Sequence, residues 1–236
     1  MKRIIVLGDT HGRSFWKLPA FSGNYDRFIF IGDYFDTKDD ISVTLQMHNF
    51  KEIVEFKKKF PDKVILLFGN HDAHYLPEFL KRGEYYSGFQ RKHCWEISSL
   101  IVHSKENMQL AHSEGEFVFT HAGITKSWLK FASIKEDEKM INKINLLFKR
   151  DPDKLTFNGL DPYGDNITQS PIWVRPASLD KDRVDGIHVV GHTSVKRLIP
   201  TAHPNIILID CLGKSGEYLV IDVVDGETKL KVDKVI

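Results

Sequence analysis

The chain has 236 residues, 42% of them hydrophobic and 28% charged, a composition that excludes disordered and fibrous classes. That length fits one domain spanning residues 1–236. Lys plus Arg number 33 against 32 Asp plus Glu, so global charge gives no reason to expect nucleic acid or an acidic membrane as partner.

Met1-Lys2-Arg3 is a basic start, and the apolar run from Ile4 to Leu7 is too short for a signal peptide. It reads as a strand that exits into the tight turn Gly8-Asp9-Thr10-His11-Gly12. Residues 13–25 read as irregular. Phe28 to Ile31 reads as a second strand, exiting into Gly32-Asp33-Tyr34-Phe35-Asp36. A helical pattern follows, with Val43, Met47, Phe50 and Val54 on one side, Asp40 as its expected N-cap and Pro61 as its stop. Val64 to Phe68 is bounded by Pro61-Asp62 and Gly69, and reads as a buried strand delivering Asn70, His71 and Asp72. The order β, β, α, β argues for a parallel or mixed α/β core.

Phe89 to His103 carries a helical pattern with Trp95, Ile97 and Leu100. Met108 to His112 and Phe117 to Thr120 read as a hairpin turning at Ser113-Glu114-Gly115, and the second strand exits into His121-Ala122-Gly123. Lys126 to Arg150 reads as one or two helices, stopped at Asp151-Pro152. Residues 156–171 form a long loop, a feature that is often functional in compact domains. Ile187 to Val190 reads as a strand that exits into Gly191-His192-Thr193. Ile206 to Ile209, Tyr218 to Val224 and Lys229 to Val232 are further expected strands, the last two joined by a turn at Asp225-Gly226. No segment approaches the roughly 18 apolar residues of a membrane span. Cys94 and Cys211 have no metal-type spacing and fit a reduced, cytoplasmic protein.

Five expected strands thus end in polar residues of one kind: Asp9 and His11, Asp33 and Asp36, Asn70 and His71, His121, and His192. In open α/β sheets, ligands collect at strand ends. A glycine stands directly before the first polar residue in four of the five, which lets the backbone come close to a ligand. Carboxylate, imidazole and carboxamide without thiolate suit Mn²⁺, Fe, Zn²⁺ or Ni²⁺ better than Ca²⁺ or Mg²⁺ alone. The candidate ligands exceed what one ion needs, and a carboxylate such as Asp33 can bridge two ions about 3.5–4 Å apart. Two ions polarise phosphate oxygens, bring the pKa of a bridging water toward neutrality and clamp the attacking and leaving oxygens. The implied reaction is in-line hydrolysis of a phosphate ester.

The ordered series GDTHG (8–12), GDYFD (32–36), GNHD (69–72), HAG (121–123) and GHT (191–193) resembles the calcineurin-like metallophosphoesterases. It is most similar to the branch holding the Ser/Thr protein phosphatases and the bacterial diadenosine tetraphosphatases. The resemblance covers residues 3–212 and implies a four-layer αββα sandwich, with two mixed β-sheets and a dimetal site at the strand ends. It implies that Asp9, His11 and Asp33 hold one metal, that Asp33 bridges, and that Asn70, His121 and His192 complete the second site. Mn²⁺ is the leading expectation for the pair, with Fe, Zn²⁺ or Ni²⁺ as alternatives. By the same resemblance His71 is the general acid, Asp36 orients it, and Arg175, in Ile172-Trp173-Val174-Arg175-Pro176, contacts phosphate. A neighbouring carboxylate keeps an imidazole protonated near neutral pH, which suits that role.

The expected activity is attack of a metal-bridging hydroxide on a phosphate monoester, as in the phosphoprotein phosphatases. A dinucleoside polyphosphate is the rival substrate, and a non-catalytic binding module on the same scaffold is a remote third reading. The partner is then a phosphorylated substrate: a phosphoprotein, a nucleotide or a small phosphoester. The family's protein phosphatases carry GDxxDRG, whereas Thr37 and Lys38 follow Asp36 here, so one phosphate-binding arginine is missing from its usual place and Lys38 is the candidate substitute. His74, three residues from His71, is expected to be a bystander, Asp72 a support, Asp39 and Asp40 helix caps, and Asp210 structural. Trp128 and Trp173 are expected in the core. Tyr163, Asp165 and Asn166 are candidates to shape a pocket from the long loop, with loop rigidity as the equal alternative.

Overall fold

Val64-Ile65-Leu66-Leu67 contains no polar residue, and it forms a strand buried along its whole length. A segment with apolar side chains on both faces is stable only between two covering layers. The computed structural model describes residues 1–156 and 165–235 and supplies those layers. Tyr163 lies outside the described residues.

Among the described residues ten strands run in chain order: β1 (Lys2–Leu7), β2 (Arg27–Phe30), β3 (Val64–Leu67), β4 (Met108–Gln109), β5 (Ala111–Glu114), β6 (Phe117–Thr120), β7 (Ile187–Val190), β8 (Ile206–Leu208), β9 (Glu217–Val224) and β10 (Glu227–Lys234). They form a six-stranded sheet, β10-β9-β1-β2-β3-β4, and a four-stranded sheet, β5-β6-β7-β8. Both sheets are mixed. In the larger, β1 to β4 are parallel and β9 and β10 antiparallel; in the smaller, β6 to β8 are parallel and β5 antiparallel.

Period-two alternation divides the core. Ile4, Val6, Ile29, Ile31, Ile65 and Leu67 face the second sheet and pack with Phe117, Phe119, Val189 and Ile207. Their neighbours Ile5, Leu7, Phe28, Phe30, Val64 and Leu66 face the other way, against Phe50 and Ile53 of the helix Val43–Lys59 and against Ile97, Ile101, Ile144 and Phe148. The outer face of the smaller sheet is covered by Leu179 of the helix Pro176–Asp182, packed with Val190 and Ile206. Helix, sheet, sheet, helix is the expected four-layer α/β sandwich. Among the described residues no helix is long and apolar enough to cross a membrane.

Several local expectations are corrected. Residues 13–25 are not irregular throughout, since Lys17–Phe21 forms a short helix. Met108 to His112 is not one strand: β4 pairs with β3 in the larger sheet and β5 pairs with β6 in the smaller. The chain changes sheet at Leu110, where the Asn145 side chain accepts both the Leu110 and Ala111 amides and donates to the Ala111 carbonyl. The hairpin therefore turns at Gly115-Glu116, two residues later than expected. The long helix is capped by Ser42, whose hydroxyl accepts the Leu45 amide, and not by Asp40. The turn at Asp225-Gly226 forms as expected, with both residues at positive φ (52° and 85°).

Asp222 ties β1, β9 and β10 together. It accepts Arg3 Nε (2.7 Å) and Nη2 (3.0 Å), and Lys231 Nζ at 2.7 Å. The Arg3 guanidinium, helped by Lys231, holds its carboxyl down to about 2. A depressed carboxylate stabilises the fold above its unfolded pKa of about 3.9 and loses that contribution as pH falls through its folded value. Asp222→Asn is expected to remove on the order of 1 kcal/mol of this pH-dependent stability, allowing for the half-exposed Lys231. Urea midpoints of wild type and variant, compared between about pH 4 and pH 2, test this. Parallel curves would show that the carboxylate contributes nothing there.

Candidate metal centre

Parallel strands end at the same sheet edge, so β1, β2 and β3 release their following loops side by side, and β6 and β7 do the same in the second sheet. Backbone bonds tie the first of these loops to the second and the fourth to the fifth. His11 N–H donates to the Asp33 carbonyl at 2.8 Å, Gly12 N–H to the Tyr34 carbonyl at 2.8 Å, and Gly191 N–H to the His121 carbonyl at 2.9 Å. Turning so sharply is strained. Among the described residues, six non-glycine residues have positive φ, and four of them are His11, Asp33, Asp36 and His192. Such conformations cost about 1–3 kcal/mol each and concentrate at functional sites.

The close packing also demands missing side chains. A Cβ on Gly69 would lie 2.2 Å from Asp33 Oδ1, and one on Gly191 would lie 2.0 Å from Asp9 Oδ1. These glycines form the floor on which two carboxylates rest.

All six expected ligands come together. Asp9, Asp33 and His121 are buried and offer ligand atoms within 4.8 Å of one another. His121 Nε2 and His192 Nδ1 each lie 2.9 Å from Asn70 Oδ1. Asp33 Oδ2 lies between two imidazoles, 3.4 Å from His121 Nε2 and 3.9 Å from His11 Nε2. Asp9 accepts the His192 backbone amide.

The protons fix what these atoms are. A carbonyl only accepts, so the ring nitrogens against the Phe35, Ile31 and Trp173 carbonyls are N–H donors: His11 Nδ1 (2.6 Å), His121 Nδ1 (3.0 Å) and His192 Nε2 (3.1 Å). Burial pushes the His11 imidazolium down to about 4 and that of His121 to about 3, and holds His192 well below its usual value. All three rings are therefore neutral at pH 7, and each turns its lone pair inward. Burial, then the charge of Asp210 and Asp33, pushes the Asp9 carboxyl well up; burial and then Asp72 do the same to Asp33. Three nitrogen lone pairs, two carboxyl groups and a carboxamide oxygen thus converge. Turning the Asn70 carboxamide over would supply donors to two rings, yet Asp9 and Asp33 would still face each other. Once Asp9 and Asp33 give up their protons the ligand atoms are all acceptors, a set that fits divalent cations.

Beside this cluster, His71 Nδ1 lies 3.0 Å from Asp36 Oδ2. Asp36 is more heavily partnered than the sequence suggests. Its Oδ2 also lies 2.6 Å from His74 Nε2, and its Oδ1 accepts the Tyr75 hydroxyl at 2.5 Å. Burial pushes the Asp36 carboxyl up, but the bonds from His71 and His74 outweigh it and leave it below its usual value. Burial likewise lowers His74, against the pull of Asp36. His74 is a fully buried core histidine that does not line the cavity, and it stands against Asp36. Its spacing of three from His71, one helical turn, was the available signal.

Asp72 is the support expected of it. One oxygen accepts the Asp33 and Gly69 amides and the other the Tyr34 amide, each at 2.9 Å. Burial raises its carboxyl to about 7 despite those bonds. Arg175 donates from Nη1 to the His192 carbonyl and the Thr193 hydroxyl, both at 3.1 Å. It lines a cavity of about 590 Å³ together with Asp9, His11, Asn70, His71 and Trp173. Lys38, Asp39 and Asp210 line it too, so Asp210 belongs to the site and not only to the scaffold. Asp39 caps no helix; it pairs with Arg13. Asp165 accepts the Ser178 amide and Asn166 closes a turn on Thr168, which favours the structural reading of both. Trp128 and Trp173 are both in the core as expected, and Trp173 also lines the cavity.

The Asp72 network gives a direct test. In Asp72→Asn one of three buried amides must face an NH₂ group, and an unsatisfied buried donor costs about 1–3 kcal/mol. The variant is expected to lose about 2–3 kcal/mol of unfolding free energy in urea. A loss within about 0.5 kcal/mol would mean that this network does not hold the loops.

The family model described as calcineurin-like phosphoesterase matches residues 2–207. No curated protein matches the sequence. Among solved structures, the chain is similar to a cold-active protein-tyrosine phosphatase of the psychrophile Shewanella sp., with 20% identity, a TM-score of 0.66, and 100% of this chain and 81% of that one covered. It is also similar to a protein serine/threonine phosphatase from Saccharomyces cerevisiae, with 16% identity, a TM-score of 0.59, and coverage of 100% and 80%. At such identities these structures speak for the shared fold.

Proposed function

The chain belongs to the calcineurin-like phosphoesterase family, a family of metal-dependent phosphoester hydrolases, and on that premise we propose that it hydrolyses a phosphate monoester with two divalent transition-metal ions. In this reading Asp9, His11 and Asp33 hold one ion, and Asp33, Asn70, His121 and His192 hold the other. The observation that carries it is the convergence of acceptors alone at the strand ends, with Asp33 Oδ2 between His11 and His121. Mn²⁺ is the proposed pair, since carboxylate, imidazole and carboxamide oxygen without thiolate suit it; Fe, Zn²⁺ and Ni²⁺ share that preference. The proposed compartment is the cytoplasm, in keeping with two free cysteines, Cys94 and Cys211.

Bound ions there supply positive charge for the phosphoryl oxygens and make water a nucleophile near neutral pH. The chain's own residues do the rest. Asp36 accepts His71 Nδ1–H, which leaves Nε2 as the atom that gives a proton to the departing oxygen. His74 and Tyr75 keep Asp36 from turning away. Arg175, anchored on His192 and Thr193, offers its guanidinium to the charge that develops on phosphate. A phosphoprotein-like monoester is the leading substrate. The second reading, a dinucleoside polyphosphate, draws on the cavity's size and on the exposed Lys38 and Lys214 at its rim.

Asp33→Asn and His71→Gln are each expected to lower kcat/KM for p-nitrophenyl phosphate at least about 100-fold. Metal analysis separates the roles: Asp33→Asn loses metal, whereas His71→Gln keeps it. Full activity in His71→Gln would remove the acid assignment. Phosphopeptides and dinucleoside polyphosphates, assayed side by side, decide between the two substrates.

Metal binding must also deprotonate Asp9 and Asp33, whose carboxyls burial has pushed up. Mn²⁺ affinity, followed by calorimetry, is therefore expected to fall as pH is lowered, with protons released on binding. Saturating Mn²⁺ at about 100 times Kd should add about 2.7 kcal/mol of stability, reversed by a chelator. A pH-independent affinity would contradict the ligand set.

A further inference from the structure

Four cationic side chains line the cavity: Arg13, Lys38, Arg175 and Lys214. Lys38 and Lys214 are exposed, and each is a point charge on a flexible stem. Arg13 is different. It is 9% exposed, and its guanidinium is fixed on three sides. Nε donates to Asp39 Oδ2 at 2.6 Å, and Nη1 to the Thr10 carbonyl at 3.3 Å. The plane lies over Gly213, where a Cβ would stand 2.4 Å from Cζ and 2.5 Å from Nη2. Only a residue without a side chain lets the guanidinium lie there. Its own backbone is held as well: Asn49 Nδ2 donates to the Arg13 carbonyl, and Arg13 N–H donates to Thr10.

This anchoring leaves Nη2 with no protein acceptor among the described residues. Asp39 does not absorb it, because that carboxylate takes Nε and is itself half-exposed. A buried guanidinium with an unused donor edge in a cavity wall is built to meet an anion. Arg13 directly follows the turn Gly8 to Gly12, which carries Asp9 and His11, so the donor edge is fixed relative to the acceptor cluster.

We infer that Arg13 binds a phosphate oxygen of the substrate, as a second guanidinium beside Arg175, and that Gly213 and Asp39 hold it in place. Lys38, the expected substitute for an arginine after Asp36, is an exposed rim charge and not the fixed anion contact. The inference rests on the cavity being the phosphoester site.

The probe is inorganic phosphate, titrated by calorimetry into Mn²⁺-loaded protein. Arg13→Met is expected to weaken phosphate binding about tenfold with metal content unchanged, and KM for p-nitrophenyl phosphate should rise in step. Gly213→Ala keeps the charge but displaces the guanidinium, and should give a comparable loss. Should Arg13→Met fail to fold, Arg13→Lys carries the test: it keeps the charge, loses the fork, and is expected to bind phosphate several-fold more weakly. If Arg13 only tied the loop to Asp39, its variants would melt earlier yet bind phosphate like wild type, and that result overturns the assignment. Failure of metal-loaded wild type to bind phosphate at all would instead overturn the phosphoester reading, and this inference with it.

Discussion

Four aspartates are packed almost without solvent at one edge of two sheets, and the way each is neutralised governs the rest of the site. Asp72 is satisfied by three backbone amides. Asp36 is satisfied by His71, His74 and the Tyr75 hydroxyl. Asp9 and Asp33 are not satisfied in this way. Asp9 has the His192 amide and Asp33 has the His71 amide, and beyond those they face neutral imidazole lone pairs. Burying an unpaired carboxylate is among the more expensive things a fold can do. The two kinds of aspartate differ in partners, not in burial, and that difference sets Asp9 and Asp33 apart from Asp36 and Asp72.

The same constraint explains the strain. Ligand atoms reach a common point only if the chain reverses immediately after each strand. His11, Asp33, Asp36 and His192 therefore adopt left-handed backbone that costs energy for residues with side chains. Gly69 and Gly191 leave out the side chains that would collide with Asp33 and Asp9. The core between the sheets, from Ile4 and Val6 to Phe119 and Val189, supplies the rigid support that keeps such loops in place. A metal that binds only the folded centre would return part of that cost as stability.

Much of this was legible in the residues because strand exits have a local grammar. An apolar run, a glycine and then a polar residue name both the element and its end; β1, β2, β3 and β7 follow it, and β6 departs only in carrying its glycine two residues after His121. What was not legible depended on partners distant in sequence. Nothing near Leu110 announces a change of sheet, because the residue that permits it, Asn145, lies 35 positions away on a helix. Asp39 looked like a cap because caps are local, yet its partner Arg13 lies 26 residues earlier. Asp210 lacks the preceding glycine of the other exits, so only the folded chain brings it to the cavity. His74 stood at helical spacing from His71, but its value depended on where Asp36 went.

The turn Asn70–Ala73 joins the two halves of the chemistry. Asn70 faces the acceptor cluster and His71 faces Asp36, and consecutive Cα atoms are only about 3.8 Å apart. The turn is fixed at its start by Gly69, whose amide Asp72 accepts, and the His71 amide is held by Asp33 Oδ1 at 2.8 Å. One carboxylate thus faces the acceptor cluster through Oδ2 and holds the His71 backbone through Oδ1. His71 and the cluster cannot drift apart without breaking a bond to Asp33. His74 extends the link. Its Nδ1 accepts the Tyr86 amide at 3.4 Å, and the Tyr86 ring packs on Trp173, whose carbonyl fixes the tautomer of His192. His71 and His192 are thus connected through the cavity wall as well as through its floor, by way of residues that orient both.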